Sequence, residues 1–182
     1  AFPHPSKTYD YLGDKLKASW NALHAGDCEP FPDGKRAGAL LKAVAKPPKG
    51  LDAAKLSETL QEAWRAFHRG DFHEAFELGE SLGVLGTSVA VKALGIHATY
   101  LVDDEAERLR RFEKAADMAE KAVAALPGEF NSHYRRAFAL GRYSQGISVA
   151  KALTMGLAGK VKAALDATIK MAPKHAEGHT AL

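Results

Sequence analysis

A short segment of this chain occurs twice, and this internal repeat constrains the fold more than any other feature of the sequence. The segment WNALHAGD covers residues 20–27 and WRAFHRGD covers residues 64–71. The two copies share Trp, Ala, a large apolar residue, His, Gly and Asp, and such self-similarity indicates a repeated structural unit. We interpret Trp20 and Trp64 as buried core anchors. The glycine of each copy is expected to end a helix, and the aspartate to cap the next element of the chain.

Apolar residues recur at spacings of three and four along the chain, which predicts helices throughout. Abundant Ala, Leu, Lys and Glu favour the same structure, and no alternating run suggests a strand. We therefore predict an all-α protein of about nine helices. Helices are expected to cover about 60% of the residues or more. The first is predicted to open near Ser6 or Thr8 and to be ended by Gly26-Asp27, and the others to cover residues 34–45, 52–69, 72–82, 88–101, 104–126, 131–152, 160–172 and 175–182. Asp33, Asp52 and Asn131 are the expected N-caps of three of them.

The chain is predicted to form one continuous domain with a distinct beginning. Pro47-Pro48-Lys49-Gly50 interrupts the helical pattern and is typical of a linker. Residues 1–50 are expected to form a helical hairpin or extension, and residues 51–182 to form a helical repeat region.

The second copy of the repeat lies in a segment that resembles one hairpin of the tetratricopeptide repeat. In residues 63–83, Ala63 occupies the small position of the first helix, and Gly70 begins the turn before a second helix. Residues 115–127 and 161–173 resemble later second helices, each ending with the family's proline. The resemblance implies a right-handed array of antiparallel helical hairpins that stack on a continuous core. Because the two Trp residues are 44 positions apart rather than about 34, we expect longer and less regular hairpins.

Residues 131–182 are more specifically similar to the regulator-of-microtubule-dynamics family and its bacterial tetratricopeptide-like relatives. The similarity lies in an Ala137…Gly141-Arg142 stretch and in a later Pro173, His179 and Leu182. The general layout is also similar to the periplasmic tetratricopeptide component found beside TRAP transporters. The resemblance extends over residues 55–182 and implies an adaptor or binding protein.

Charge is unevenly distributed, although the net charge is only +3. Residues 51–130 are acidic, whereas residues 131–182 contain eight Lys or Arg against two acidic residues. This pattern is typical either of two solvated faces or of a basic surface for an anionic ligand or acidic partner. Basic residues are not interleaved with enough aromatic residues to predict nucleic-acid binding.

Two further features concern the compartment. No apolar run approaches the roughly 18 residues of a membrane span, and Cys28 is the only cysteine, which excludes an internal disulfide. The opening AFPHPSKTYD has no initiator Met and resembles a mature N-terminus after signal-peptide cleavage. It predicts an exported or periplasmic protein, with a cytoplasmic location as the alternative.

The sequence offers little for catalysis, a cofactor or a metal. His175 and His179 have the one-turn spacing of metal ligands, but neither a third ligand nor an adjacent Glu is evident. His24 and His68 precede the repeat glycines, where a helix C-terminus favours a cationic or donor side chain. No phosphate-binding loop or nucleophile motif occurs. We predict a protein that is not an enzyme and needs no cofactor.

The strongest candidate site lies on the helix around residues 131–145. Arg135 and Arg142 are seven residues apart and share one face, and Gly141 between them leaves room for close packing or for a ligand. A segment around residues 88–101 is expected to face the same groove. The predicted ligand-binding residues are Lys92, His97, Tyr100, Tyr134, Arg135, Arg142, Tyr143 and Gln145. The alternative is a buried polar network, with Arg142 paired to Glu113, Asp117 or Glu120.

These features together predict a non-enzymatic binding or adaptor protein. Its groove would take a protein partner, a peptide or a small anionic ligand. The alternative is a structural subunit or homo-oligomer in which the groove is filled by the protein's own helices or by another copy.

Overall fold

The computed structural model describes residues 7–182, and within this range it contains helices and no strand. The predicted all-α class is confirmed, because helices make up 74% of the described residues. The ten α-helices of this range are α1 Lys15–Leu23, α2 Gly34–Ala43, α3 Ala53–Arg69, α4 Phe72–Ser81, α5 Thr87–Tyr100, α6 Glu105–Ala125, α7 Phe130–Gln145, α8 Val149–Thr154, α9 Leu157–Met171 and α10 Ala176–Ala181. Short 3₁₀ turns cover Lys7–Tyr9 and Gly83–Gly86.

Several helix ends follow from local capping. Asp33 and Asp52 accept hydrogen bonds from the backbone N–H groups of Arg36 and Lys55, both at 2.8 Å, as predicted. Gly70 ends α3 in the left-handed conformation, with φ +90°. A β-carbon would be costly at that angle, so glycine suits this turn.

Three predicted boundaries were wrong. Helix α1 begins at Lys15 and not near Thr8, because Gly13 turns the chain with φ +56°; Ser6 lies outside the described residues. The predicted helix 131–152 is two helices, because Gly146 ends α7 and the Ser148 hydroxyl accepts from the Lys151 N–H to start α8. Asn131 is not an N-cap but a buried residue in the first turn of α7.

Consecutive helices from α2 to α7 pack on one another, and α7 packs on α9. Alternate helices α3, α5 and α7 also touch, so these three form one layer. The apolar core joins the first two helices to this layer, since Trp20 and Leu40 pack in the same cluster as Leu60 and Trp64. The predicted burial of both Trp side chains is confirmed, and the two rings contact each other edge to face at 5.7 Å. Within residues 7–182, no helix has the length and apolarity needed to span a membrane.

Candidate functional site

The segment that follows α1, residues 24–32, crosses the layer formed by α3, α5 and α7; we name it the crossing segment. His24 contacts His68 of α3, Asp27 contacts Lys92 of α5, and the Pro32 carbonyl accepts from the Ser57 hydroxyl of α3 at 2.7 Å. These contacts place a loop with two carboxylates against the middle of the helical array.

Asp27 is the centre of a buried charge network. Its carboxylate is fully buried and accepts from Arg135 Nη2 at 2.7 Å and from Lys92 Nζ at 2.5 Å. The other carboxylate oxygen lies 2.9 Å from His24 Nδ1. Two cations thus converge on one carboxylate that lies 108 positions before Arg135 in the chain.

The network keeps its central pair ionised. Burial alone would raise the pKa of Asp27, but the hydrogen bond from His24 and the charges of Arg135 and Lys92 outweigh it, so the pKa lies well below its usual range. Burial alone would lower the pKa of Arg135, yet the charges of Asp27, Glu29 and Glu177 raise it. Breaking this pair would therefore leave an uncompensated charge in the interior.

Glu29 is the second carboxylate of the crossing segment. Its Oε2 accepts from the Ser88 hydroxyl at 2.5 Å and from Asn131 Nδ2 at 2.6 Å, and it lies 4.0 Å from Arg135 Nη2. Burial raises the pKa of Glu29, against the opposing charge of Arg135. Asn131 also donates to the Asp27 carbonyl at 3.0 Å, so its amide ties the crossing segment to α7.

The C-terminal helix α10 is joined to the same network through His175. The Gly178 N–H donates to His175 Nδ1 at 2.9 Å, so the proton of the neutral ring is assigned to Nε2, which donates to the Asn131 side-chain oxygen at 2.9 Å. Burial, with the charge of Arg135, lowers the pKa of His175. His179 instead donates to the Pro173 carbonyl and is exposed. The two histidines therefore do not converge on a common point.

The two repeat histidines form a direct pair. His24 Nε2 and His68 Nε2 are 3.2 Å apart, and because Asp27 takes the Nδ1 proton of His24, we assign His68 as the donor. Burial, with the charge of Lys92, lowers the pKa of His68 to about 3. His68 is therefore neutral at pH 7. The favourable interaction of a cationic side chain with the helix C-terminus does not explain why a histidine occupies this position.

A cavity of about 220 Å³ lies beside the two cations of the network. It is lined by Lys92, Ile96, Tyr134, Arg135, Phe138 and Glu177. Glu177 stands at its edge, with its carboxylate 3.6 Å from Lys92 Nζ and 3.8 Å from Arg135 Nη1. Arg135 is only 2% exposed, and its Nε has no hydrogen-bond partner among the described residues. The cavity thus brings two cationic side chains and one carboxylate to the same surface.

Three of the predicted binding residues, Lys92, Tyr134 and Arg135, come together at this cavity. Two others do not. Tyr100 is 74% exposed at the end of α5, and His97 Nδ1 lies 2.5 Å from an Arg111 nitrogen on α6.

Arg142 and Gln145 line a different cavity of about 460 Å³, next to Phe112 and Arg108. Arg142 donates to the Gln145 side-chain oxygen at 3.2 Å and lies over the Phe112 ring. Tyr143, by contrast, is buried in an apolar cluster.

The ion pair expected for Arg142 with α6 is not present in the described part of the chain. Glu120 pairs with Arg136, and Asp117 pairs with Lys121. The buried internal pair that the alternative interpretation expected exists, but it is formed by Arg135.

Sequence reasoning missed Asp27, which it treated as a cap. The signal was a difference between the two repeat copies. Asp71 pairs at 2.6 Å with Arg69, whereas the first copy has Ala25 where the second has Arg69. Asp27 therefore lacks a local cation and reaches distant ones instead.

No family model, no curated protein and no solved structure matches this chain.

Proposed function

We propose that this chain is a non-enzymatic binding or adaptor protein that holds an anionic group in the cavity beside Lys92 and Arg135. The observation that carries the proposal is the Arg135 side chain, which is buried, lines the cavity and has an Nε donor without a partner among the described residues. A buried unpaired donor costs about 1–3 kcal/mol. This nitrogen has almost no accessible surface, so a ligand oxygen accepts from it, and recovers that cost, only once the Arg135 side chain turns toward the cavity.

The position of Glu177 supports a carboxylate as the bound group. Its oxygens lie 3.6 and 3.8 Å from the two cations, beyond hydrogen-bonding distance, and its side chain is about one third exposed. A carboxylate on a short terminal helix thus stands loosely where a ligand carboxylate would bind more closely. Behind it, Asp27 neutralises part of the positive charge, which suits a small acidic ligand or an acidic side chain of a peptide.

The packing of helices supports a tetratricopeptide-like class for the scaffold. Consecutive helices pack as pairs, and α3, α5 and α7 form one layer, as in stacked hairpins.

The test uses the Arg Nε–Hε signals of ¹⁵N-labelled protein during titration with succinate. We expect the Arg135 signal to shift and saturate, and we expect Arg135→Lys, which keeps the charge but loses the planar fork, to weaken binding. Arg136→Lys is the matched control. Arg136 is the next residue after Arg135, but it pairs with Glu120 on α6 and does not line the cavity. An Arg135 signal that stays unmoved by succinate and by inorganic phosphate would contradict the proposal.

One observation favours the alternative, a structural subunit with a filled groove. The crossing segment already occupies the α3, α5 and α7 layer, and Asp27 takes a hydrogen bond from each of the two cations. Native mass spectrometry of freshly purified protein separates the two functions. A co-purified small ligand supports the binding function, whereas a ligand-free oligomer supports the structural one.

A further inference from the structure

An open apolar groove lies at the C-terminal end of the array, away from the Lys92 and Arg135 cavity. It has a volume of about 700 Å³ and lies between the end of α7, helix α8, helix α9 and the last two residues. Its walls are mainly apolar and include Val149, Leu153, Leu157, Val161 and Leu165. Val149 and Leu153 are 76% and 72% exposed, so they contribute apolar surface that the described chain leaves uncovered.

The two helices that form most of this groove, α8 and α9, carry positive charge on exposed lysines, which we call its rim. Lys151 on α8 and Lys160 and Lys162 on α9 are all exposed, and Lys162 lines the groove itself. Asp166 is the one carboxylate of α9, and it pairs with Lys162 at 2.8 Å. An occupant with apolar groups toward the groove and carboxylates at its edges would complement both the apolar walls and the rim.

Two helical glycines line the groove without a packing reason of their own. No atom outside their own helical backbone lies within 4 Å of the position that a β-carbon would take at Gly141 or Gly159. By contrast, a β-carbon at Gly79 would lie 2.9 Å from the Ala90 β-carbon, so that glycine allows α4 and α5 to pack closely. The absence of side chains at Gly141 and Gly159 leaves room for another backbone to approach.

The groove has the length of a short helix. The part of α9 that lines it runs from Leu157 to Leu165, which corresponds to about 12 Å at 1.5 Å per residue, or roughly two turns of an occupying helix. Because the groove is open along its length, it suits a helix with one face exposed better than a small apolar ligand, which proteins usually enclose.

We propose that this groove binds an acidic amphipathic helix of a partner protein, with leucine-type anchors between α8 and α9 and glutamates near Lys151, Lys160 and Lys162. This site is separate from the Lys92 and Arg135 cavity and does not depend on it. The protein would then join two partners, which is what an adaptor does.

The test measures the fluorescence anisotropy of a labelled synthetic peptide of about 14 residues, with leucines at i, i+4, i+7 and i+11 and glutamates on the other faces. We expect saturable binding that Gly141→Leu weakens by about tenfold or more, because the new side chain fills the groove. Ala163→Leu is the matched control, because it adds the same side chain at an exposed α9 position that does not line the groove. It should bind like the original protein.

Further measurements make the result decisive. The same peptide with lysine in place of glutamate should bind about tenfold more weakly, and more salt should weaken the acidic peptide. Succinate, the probe of the Lys92 and Arg135 cavity, should leave peptide binding unchanged at constant ionic strength, so that this proposal and the proposed function can fail separately. Circular dichroism melting of Gly141→Leu checks that the variant folds, and Leu153→Ser gives a second groove variant with the same expected loss.

Several outcomes would overturn the proposal. One is an acidic peptide that does not bind, or that binds Gly141→Leu as well as the original protein. Another is equal binding of the lysine peptide. The third is self-association that Gly141→Leu abolishes in sedimentation experiments, which would assign the groove to a second copy of this chain.

Discussion

His24 and His68, which hold the same position in the two copies of the sequence repeat, face each other with their Nε2 atoms 3.2 Å apart. The two Trp rings of the repeat also meet, at 5.7 Å. The two copies therefore do not sit in separate hairpins with separate cores. They meet at one contact, where an aromatic cluster lies directly beside the charge of Asp27.

Removing one Trp of this cluster should be costly. Trp64→Ala is expected to lower the free energy of unfolding by about 3–5 kcal/mol, the usual cost of deleting a large buried aromatic side chain. Urea denaturation measures the change, and Tyr100→Ala, at an exposed position, is the control that should change it by less than about 0.5 kcal/mol. A loss below about 1 kcal/mol for Trp64→Ala would mean that the aromatic contact contributes little to the core.

Two arginines of α7, Arg135 and Arg142, should differ sharply in their effect on stability. Arg135→Ala is expected to cost about 3–5 kcal/mol of folding stability, because it leaves the buried Asp27 carboxylate with one cation fewer. Arg142→Ala should change stability by less than about 0.5 kcal/mol, since Arg142 forms no ion pair in the described part of the chain. Thermal and urea unfolding of both variants give the comparison. Equal losses would show that the network is not what holds α7 in place.

Arg142→Ala also tests whether the larger cavity beside Arg142 binds a ligand. Arg142→Ala should then weaken binding of that ligand by about 1.5–3 kcal/mol, the range for a hydrogen bond to a charged group. Isothermal titration calorimetry with a ligand found by native mass spectrometry measures this. An unchanged affinity removes Arg142 from the binding residues.

Glycine substitutions separate open positions from packed ones. Gly141→Ala should raise the free energy of unfolding by about 1 kcal/mol, because alanine is the better helix former and nothing obstructs its methyl group. Gly79→Ala should lower it, because the methyl group would lie only 2.9 Å from the Ala90 β-carbon. The same sign in both variants would contradict the packing described for α4 and α5.

Stability should fall as the pH is lowered from neutrality. The pKa of His68 is about 3 in the folded protein against an ordinary value of 6.5, so between these values the unfolded chain binds more protons. The stability that the neutral ring provides is complete above the ordinary value and is lost progressively below it. His175 and His97, whose pKa values are also lowered by burial, add to the same slope.

Urea midpoints measured between about pH 8 and pH 4.5 test this behaviour. His68→Gln, which keeps a donor for His24, should flatten the profile, and His73→Gln, at an exposed position, should leave it unchanged. The low pKa of Asp27 has its effect only below this window. A profile that does not change in His68→Gln would show that this ring is not the source of the acid sensitivity.

The fold was largely predictable because it rests on local rules. Apolar spacing identifies the helices, and the side chains of Asp33 and Asp52 fix two of their starts. The division between α7 and α8 was not predictable from residue spacing. The helical spacing of apolar residues continues past Gly146, although the helix itself ends there.

The candidate site was predictable only in part. Lys92, Tyr134 and Arg135 meet at one cavity because α5 and α7 are neighbours in one layer. Their position relative to Asp27 and Glu177 depends on how the crossing segment and α10 return to that layer, and no local spacing determines this. His97 was expected to join them but faces Arg111 on α6 instead.

The bond between Asp27 and Arg135 also has a consequence for cooperativity. An array of stacked hairpins usually gains stability from nearest neighbours, so its ends can unravel independently. Here the Asp27 carboxylate of the crossing segment is joined to α5 over a separation of 65 residues and to α7 over a separation of 108. The backbone N–H of Glu177 also donates to the Gly26 carbonyl at 3.0 Å. The last helix thus cannot leave without disturbing the first loop. During synthesis, Asp27 emerges long before Arg135, so the loop must wait for most of the chain before its charge is compensated.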